Sequence, residues 1–392
     1  MIIKEVKEDI YGIITNDWDR QIFDELIPLP DGTSYNSYFL NDEENVLIDS
    51  SDPRTKDKLF KGIEELKIEK IDYIISNHSE QDHSGAISDL LEKFKSAKVI
   101  TSEKGKDFLK SLLFISEDRI IGVKDGEKIN IGEKTLEFIY APFVHWPETI
   151  LTYEIKNKIL FPCDLFGSHL ATSKIWASEN DFLKEAKRYY AEIMMPFRKH
   201  IKKYIEKIKN YEIEIIAPSH GPIYDKPEVI IDAYNEWVSD NVKNCVVIIY
   251  VSMHGSIKKA IDYFVKVLIE KGIEVKPFNL TETDIGELAI SLVDCATVVI
   301  GTPTVLGGPH PSVLYATYLF KILKPKTKFV SIIGSFLWGT NMLKYFEETM
   351  KGIDIEIIDP VIFKGQPEKE TFENLNNLAE KIYYKHKELK LI

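Results

Sequence analysis

The second half of the chain alternates regularly between apolar strand-like runs and segments of helical spacing, and this pattern restricts the fold more than any other feature. From Cys245 the strand-like runs are "CVVIIYVS", "EVKPFNL", "ATVVIGTP", "KFVSIIGS" and "IEIIDPVIF". The helical segments between and after them are 257–271, 284–293, 312–323, 339–351 and 368–388. Continuous apolar strands separated by helices predict a parallel, doubly wound sheet covered on both faces, with its ligand at the carboxyl ends of the strands.

The first half is organised differently. Short strand-like runs such as "SYNSYFL" and "NVLIDSS" are separated by turn-forming residues, and helices are inserted between further strands. The charged segment 181–210 is predicted to be helical, with a break at Pro196. A chain of 392 residues exceeds what one ordinary core organises, so we predict two domains, 1–242 and 243–392.

Composition excludes several functional classes. A net charge of −12 argues against nucleic acid as a partner, because phosphate binding requires a basic face. No apolar run approaches the ~18 residues of a membrane span, and "MIIKEVKEDIYG" lacks the apolar stretch of a signal peptide. The three cysteines form neither a disulfide framework nor a C-x-x-C pair. We therefore expect a cytoplasmic protein without membrane contact.

Metal-binding residue types cluster at the ends of predicted strands. The stretch "NHSEQDH" follows the strand "IDYIIS", and three further strands end near "VHW", "FPCD" and "PSHG". A single histidine at a strand end is usually an ordinary hydrogen-bonded residue, and His169, His200 and His386 are expected at the surface. So many like charges within six residues, however, would be costly without a cation. The candidate ligands are His78, Glu80, Asp82, His83, His145, Asp164 and His220.

The order and spacing of these residues resemble the metallo-β-lactamase-like fold and, more closely, the flavodiiron proteins. The resemblance covers essentially the whole chain: H-x-E-x-D-H, then histidine, aspartate and histidine, then the doubly wound half. It implies an α/β protein with an N-terminal metallo-β-lactamase-like αββα sandwich, followed by a flavodoxin-like domain. It also implies two iron ions, the first bound by His78, Glu80 and His145, the second by Asp82, His83 and His220. Asp164 would bridge them; the equivalent of His83 turns away from the metal in some members.

Glu80 distinguishes this site from the common zinc version, which has a third histidine in the cluster. Sites of imidazoles with one carboxylate suit zinc and hydrolysis. Three carboxylates with imidazoles supply the harder oxygen donors that suit iron. Glu80 therefore favours redox chemistry, and a zinc hydrolase with an accessory flavodoxin-like domain is the less favoured alternative.

Three loops of the second half fall where a flavodoxin-like sheet binds its ligand. Ser252, Ser256 and the N–H groups around Gly255 can hold a phosphate at a helix N-terminus. Family members generally have Thr where this chain has Ile257, which leaves the effect on flavin affinity open. No G-x-G-x-x-G follows a strand, so no nicotinamide site is indicated. The resemblance implies FMN bound by Ser252, Met253, His254, Gly255, Ser256 and Ile257, by Thr302, Pro303, Thr304, Val305, Leu306 and Gly307, and by Ser335, Phe336, Leu337, Trp338 and Gly339.

The resemblance implies reduction of dioxygen to water, with electrons passing through FMN from an external donor, either reduced coenzyme F-420 or rubredoxin. Reduction of nitric oxide to nitrous oxide at the same irons is the alternative, and the ligands do not separate the two gases. Tyr190 and Trp146 are predicted to line the pocket for the gas. A head-to-tail homodimer, alone or as a dimer of dimers, is also implied.

Overall fold

The computed structural model describes all of residues 1–392, and the chain divides into two compact units, residues 1–238 and 239–392. The division falls a few residues before the predicted boundary near 242–245. No helix is both long and apolar enough to cross a membrane.

The first unit contains two sheets. The first has strand order β1-β2-β5-β6-β7-β8-β9 and the second β10-β11-β12-β13-β14; β3 and β4 form a separate pair. The strands are β1 Ile2–Lys7, β2 Ile10–Asp17, β3 Ile22–Phe23, β4 Ile27–Pro28, β5 Thr33–Leu40, β6 Val46–Ile48, β7 Tyr73–Ile75, β8 Lys98–Ser102, β9 Ile120–Val123, β10 Lys128–Asn130, β11 Thr135–Tyr140, β12 Ile150–Glu154, β13 Ile159–Phe161 and β14 Ile215–Ile216.

The α-helices of this unit are α1 Lys56–Glu65, α2 Gln81–Ser84, α3 Ile87–Lys93, α4 Glu103–Leu113, α5 Leu183–Tyr189, α6 Arg198–Ile208 and α7 Pro227–Val238. Side chains from both sheets, such as Ile14 and Phe138, share one core cluster. The other side of the first sheet packs against α1, α3 and α4 through residues such as Leu59 and Leu109. Facing sheets with helices outside are the layers that the resemblance implies.

Strand directions bring the predicted ligands to one edge. β13 and β14 are parallel neighbours, and β11 runs in the same direction because β11 and β13 both pair antiparallel with β12. The carboxyl ends of these three strands therefore lie together, and the loops that follow carry His145, Asp164 and His220. Asn77 follows β7 of the first sheet by two residues and connects that loop to this edge of the second sheet. Its carbonyl accepts from Ile150 N at 2.9 Å.

The predicted helix over 181–210 is interrupted between Tyr189 and Arg198. α5 passes into a π-helix at Tyr190–Met194 and a 3-10 helix at Met195–Phe197, and α6 then begins at Arg198. Pro196 has no N–H to donate to the preceding turn. The regular α-helix already ends at Tyr189, before the predicted break at Pro196, and α-helical structure resumes two residues after that proline.

The second unit is a parallel sheet of order β16-β15-β17-β19-β20, with β21 also paired to β19 and the short β18 paired to β17. This confirms the flavodoxin-like, doubly wound arrangement. Alternate residues of β15 enter different cores, Val246 and Ile248 on one face and Val247 and Ile249 on the other. The elements are β15 Lys243–Tyr250, α8 Ser256–Glu270, β16 Glu274–Asn279, α9 Ile285–Leu292, β17 Cys295–Val305, β18 Gly308–Pro309, α10 Pro311–Leu323, β19 Phe329–Phe336, α11 Met342–Met350, β20 Glu356–Ile357, β21 Val361–Lys364 and α12 Lys369–Glu388.

Two of the three histidines expected at the surface are buried. His386 has no exposed surface, and its ring nitrogens contact Thr297 Oγ1 at 2.7 Å and Asn244 Oδ1 at 2.8 Å. His169 is also buried. The prediction was wrong for both, because the residues next to each histidine in the sequence do not reveal the distant residues that hydrogen-bond to its ring. His200 is exposed, as predicted.

Candidate functional site

The first group of ligand atoms comes from two loops, one after β7 and one after β11. His78 Nε2 lies 3.0 Å and His145 Nε2 lies 3.2 Å from Glu80 Oε2. Both imidazole nitrogens are also 3.6 Å from Asp164 Oδ2. His78, Glu80 and His145 therefore offer three donor atoms to one position, in the grouping that the sequence predicted for the first metal ion.

The second group is more deeply buried. Asp82 Oδ2 lies 3.2 Å from His220 Nε2, and Asp82 Oδ1 lies 3.3 Å from His83 Nε2. The imidazole of His83 turns toward this group, 3.0 Å from Asp164 Oδ1, which lies 3.3 Å from His220 Nε2. These three residues form a second set of converging donors, matching the grouping predicted for the second ion.

Asp164 faces both groups, with Oδ2 toward the first and Oδ1 toward the second. Three buried atoms of the site, Asp82 Oδ1, His83 Nε2 and Asp164 Oδ2, have no hydrogen-bond partner. Buried polar atoms without partners are costly, and a cation at each group would satisfy them. The donor set of four imidazoles and three carboxylates thus fits a binuclear metal centre and is oxygen-rich enough for iron.

A cavity of about 440 Å³ opens beside the first group. Glu80, Asp82 and Trp146 lie on its wall, and the Trp146 indole packs edge-on against the His78 ring with centroids 4.9 Å apart. Trp146 therefore lies on the wall of a space large enough for a small molecule, beside the first ligand group.

The second unit carries an open cavity of about 320 Å³ at the carboxyl ends of its strands. Ser256, at the start of α8, has its Oγ 3.3 Å from Ser335 Oγ. Gly255 caps this helix with a φ of +84°, and a Cβ there would meet open space. The lining residues are Met253, His254, Ser256, Pro303, Thr304, Ser335, Phe336, Leu337, Trp338, Gly339, Gly365 and Gln366.

These features suit a phosphorylated flat ring. The N-terminus of α8 presents N–H groups of the kind that bind phosphate, and Trp338 is 83% exposed at the rim of the cavity. An exposed indole at a cavity is suited to cover a ring system. Gly365 and Gln366 were not predicted; the signal available was the Gly-Gln-Pro turn directly after the last strand, the same position as the other loops.

Comparisons with known proteins match this architecture. Residues 33–221 match a family model described as ODP family beta lactamase. The chain is 33% identical to the nitric oxide reductase of Moorella thermoacetica over 90% of both chains, and 33% identical to the coenzyme F420H(2) oxidase of Methanothermobacter marburgensis, over 79% of this chain and 80% of that one. The structure of rubredoxin oxygen:oxidoreductase from Desulfovibrio gigas superposes with a TM-score of 0.95 at 27% identity, over 98% of this chain and 99% of that one.

The chain belongs to the flavodiiron protein family. It is accordingly an oxidoreductase, and its first unit has the metallo-β-lactamase-like fold that the sequence predicted.

The hydrogen bonds of this flavodiiron site fix the orientation of two histidines. His78 Nδ1 lies 2.7 Å from Glu148 Oε1, and His220 Nδ1 lies 2.7 Å from the Ser34 carbonyl. Each Nδ1 faces an acceptor and must donate its proton, so each Nε2 is left to bind a metal ion. Both rings are therefore held in the tautomer that coordination needs.

Without a metal ion the imidazoles and carboxylates pair with one another. Burial alone would lower the pKa of His220, but hydrogen bonds with Asp164 and Asp82 raise this pKa to about 10. Burial favours a higher pKa for Asp164, yet His83 and His220 hold this pKa well below its usual range. Burial also favours a higher pKa for Glu80, yet His145 and His78 hold this pKa well below its usual range. Glu80 and Asp164 are thus kept ionised, in the form that coordinates a cation.

The structure corrects one predicted pocket residue by one position. Tyr190 does not line the cavity at the first group; its hydroxyl donates to the Trp237 carbonyl at 3.1 Å and its ring packs against Tyr234. The neighbouring Tyr189 reaches the metal site instead, donating to Asp164 Oδ1 at 2.7 Å. Both tyrosines are buried, and the sequence alone does not show which of two adjacent buried tyrosines is directed at Asp164.

Other supporting residues were missed. Asp49, buried behind the cluster, accepts from Asn77 N at 2.9 Å and Ser219 Oγ at 3.0 Å. Asp49, Cys163 and Phe166 all have positive φ, close to +50° to +70°. Strained backbone of this kind collects at functional sites, and its only sequence signal here is that "IDSS" and "PCDLF" follow strands.

Three predicted flavin residues have side chains turned elsewhere. Ile257 is fully buried in a core cluster of the second unit, so only its backbone can reach a phosphate. Ser252 Oγ accepts from Lys258 N, in the first turn of α8, at 3.1 Å. Thr302 Oγ1 is buried, where it donates to the Pro303 carbonyl and accepts from His310 N. Of the remaining predicted residues, Gly255, Val305, Leu306 and Gly307 do not line the cavity.

Proposed function

We propose that this flavodiiron protein reduces dioxygen by four electrons to water at a diiron site in its first unit, using electrons that arrive through FMN in its second. The ligands are His78, Glu80, His145, Asp82, His83, His220 and the bridging Asp164. One observation carries the proposal: Asp164 directs one carboxylate oxygen to each of two converging ligand groups. This arrangement would hold two ions, and its three carboxylates favour iron over zinc.

When bound, two ferrous ions and a reduced flavin together supply the electrons for the reaction, and the chain supplies positioning and electrostatics. Glu148 and the Ser34 carbonyl hold His78 and His220 in the required tautomers. The Tyr189 hydroxyl holds Asp164 Oδ1 by a hydrogen bond. Trp146 provides an apolar wall beside His78, which limits the space open to water at the first group.

Reduction of nitric oxide to nitrous oxide is the second candidate. It is favoured by the 33% identity to the Moorella thermoacetica protein, which is named a nitric oxide reductase. No ligand residue distinguishes the two gases, because the same donor set would serve both. Turnover with each gas supplied alone separates the candidates, and equal rates would contradict a preference for dioxygen.

The electron donor is proposed to be reduced coenzyme F-420 or rubredoxin. The similar protein of Methanothermobacter marburgensis is named for the first and that of Desulfovibrio gigas for the second. A head-to-tail homodimer, or a dimer of dimers, would place the FMN of one subunit beside the iron of the other. Light scattering on the purified protein tests the assembly.

The deciding experiment is metal and flavin analysis, followed by rapid mixing of the fully reduced protein with dioxygen. We expect two iron ions and one FMN per chain, and reoxidation of the flavin faster than in protein stripped of iron. Repeating the measurement under turnover with each donor identifies the donor. Two zinc ions and no flavin, with hydrolytic activity, would overturn the proposal in favour of a zinc hydrolase.

A further inference from the structure

Glu148 is a buried carboxylate that contacts the metal site without being a ligand. It is only 2% exposed, and its Oε1 accepts from His78 Nδ1 at 2.7 Å and from Ser79 N at 3.0 Å. Its other oxygen, Oε2, is buried and has no hydrogen-bond partner. A buried charge with one unpartnered oxygen costs stability, so its presence calls for a compensating positive charge nearby. A cation at His78 would provide that charge.

The second ligand group also has a buried carboxylate behind it, Asp49, but this carboxylate accepts from Asn77 and Ser219 and not from a ligating imidazole. The Nδ1 of His220 donates to the Ser34 carbonyl, which is a neutral acceptor. A carboxylate that accepts from a ligating imidazole raises the basicity of that imidazole more than a neutral carbonyl does. His78 should therefore be a stronger donor than His220, although the two rings have similar orientations toward their ligand groups.

We infer that Glu148 is a positioning residue that makes the two metal positions unequal, so that the ion at His78, Glu80 and His145 is bound more tightly than the ion at Asp82, His83 and His220. The inference rests on the proposed binuclear site. It extends to iron, because a more basic imidazole favours the ferric over the ferrous ion. The iron at the first position then has the lower reduction potential and is the first of the two to be oxidised.

The test is a stepwise Zn²⁺ titration of the metal-free, full-length chain, in which isothermal calorimetry measures the affinity of each binding step. Glu148→Gln removes the charge but keeps an oxygen that can accept from His78 and Ser79. We expect the tighter of the two binding steps to weaken about ten- to a hundredfold, as is typical when the partner of a ligating histidine is lost. The weaker step should stay unchanged, and weakening of that step alone would contradict the inference. Glu148→Asp, which keeps the charge, should restore most of the difference.

Glu154→Gln is the matched control. Glu154 is an equally buried glutamate of the same unit, and its carboxylate accepts only from the backbone N–H groups of Lys156 and Asn157, each at 2.8 Å. Removing its charge should leave both binding steps as they are. Equal weakening of both steps in Glu148→Gln, no weakening of either, or the same result in Glu154→Gln would overturn the inference. So would a failure of both Glu148 variants to fold, which would make the residue structural.

A redox titration of the iron-loaded protein gives the second readout. In Glu148→Gln we expect one of the two iron couples to move to a higher potential, about 59 mV for each tenfold loss of preference for the ferric ion. The Zn²⁺ titration does not depend on iron or gas chemistry. A protein that binds two Zn²⁺ unequally but never reduces dioxygen would keep this inference and reject the proposed reaction. A protein that binds two Zn²⁺ equally and does reduce dioxygen would reject this inference and keep the proposed reaction.

Discussion

The two binding regions of this chain are built in opposite ways. In the first unit the ligand side chains are largely buried and most are already held by one another or by neighbours such as Glu148. In the second unit the rim of the cavity is open, with Trp338 at 83% and Leu337 at 60% exposure. The proposed metal site is preorganised by the fold, whereas the proposed flavin cavity offers exposed apolar surface and a helix N-terminus that a ligand would cover.

The difference follows from the chemistry of the two ligands. Metal ions are bound by deprotonated side chains whose positions must be fixed to a few tenths of an ångström, so the fold has to hold them from behind. A flavin is large, and much of its binding free energy comes from contact with flat apolar groups and from phosphate at a helix N-terminus. A single substitution in the first region should therefore cause a large loss of metal binding and activity, and one in the second region only a small loss of flavin affinity.

The largest effect is expected for Asp164→Ala, which removes the residue shared by both ligand groups. Losing a bridging ligand should cost more than the 10–100-fold that is typical of residues that only orient ligands. Dioxygen consumption should fall at least about 100-fold, and iron content should drop while FMN content is unchanged. Colorimetric iron analysis and flavin absorbance on one sample check both.

The control for this change is Asp57→Ala, at an exposed position in the first turn of α1. It should change neither cofactor nor rate. If Asp164→Ala kept two iron ions and lost flavin instead, the contrast between the two regions would be wrong.

A second prediction concerns acid stability and involves only the second unit. Burial lowers the pKa of His386 to about 4 from an ordinary value of 6.5. The folded state therefore favours neutral His386, and its contribution to stability is present above pH 6.5 and is lost as the pH falls toward 4. Between pH 7 and 4.5 the loss should be about 2 kcal/mol.

Chemical unfolding of His386→Gln as a function of pH measures this contribution. The variant should lack that part of the pH dependence, and His200→Gln, at an exposed histidine of the first unit, should keep all of it. A wild-type pH profile in His386→Gln would show that the buried ring does not titrate in this range.

The sequence predicted the second unit and the cluster from His78 to His83 because those features are local. The layers of the first unit, and the grouping of the cluster with the distant His145, Asp164 and His220, came from the family resemblance. Alternating strands and helices define the second unit, and Glu80 lies within six residues of His78 and His83. What it could not predict depends on distant partners. Glu148 meets His78 across 70 positions of the chain, and Tyr189 was missed in favour of Tyr190. Likewise His386 is buried by partners on β15 and β17.

A smaller effect is expected for Trp338→Ala. The indole is exposed in the absence of a ligand, so its removal should not disturb the fold. Its stacking on a flavin is worth about 0.5–1.5 kcal/mol beyond the contact area, and the affinity for FMN should fall roughly tenfold. Titration of the flavin-free protein by FMN fluorescence measures this, with iron content as the internal check. Trp18→Ala, at a 59% exposed tryptophan of the first unit, is the control and should leave FMN affinity unchanged.

The smallest expected effect on binding comes from Ile257→Thr, which introduces the residue usual in the family. Because the Ile257 side chain is buried against the core, its Cγ2 3.3 Å from where a Cβ on Gly301 would lie, a hydroxyl there faces apolar neighbours rather than phosphate. We expect FMN affinity to stay within about twofold and the unfolding free energy to fall by about 1–2 kcal/mol. Ile261→Thr, at a buried position one turn along α8, should destabilise the unit similarly. A clear gain in FMN affinity for Ile257→Thr alone would mean that the helix N-terminus rearranges around phosphate. The conformation of the flavin-binding loop would then change when the ligand binds, in contrast to the preorganised first region.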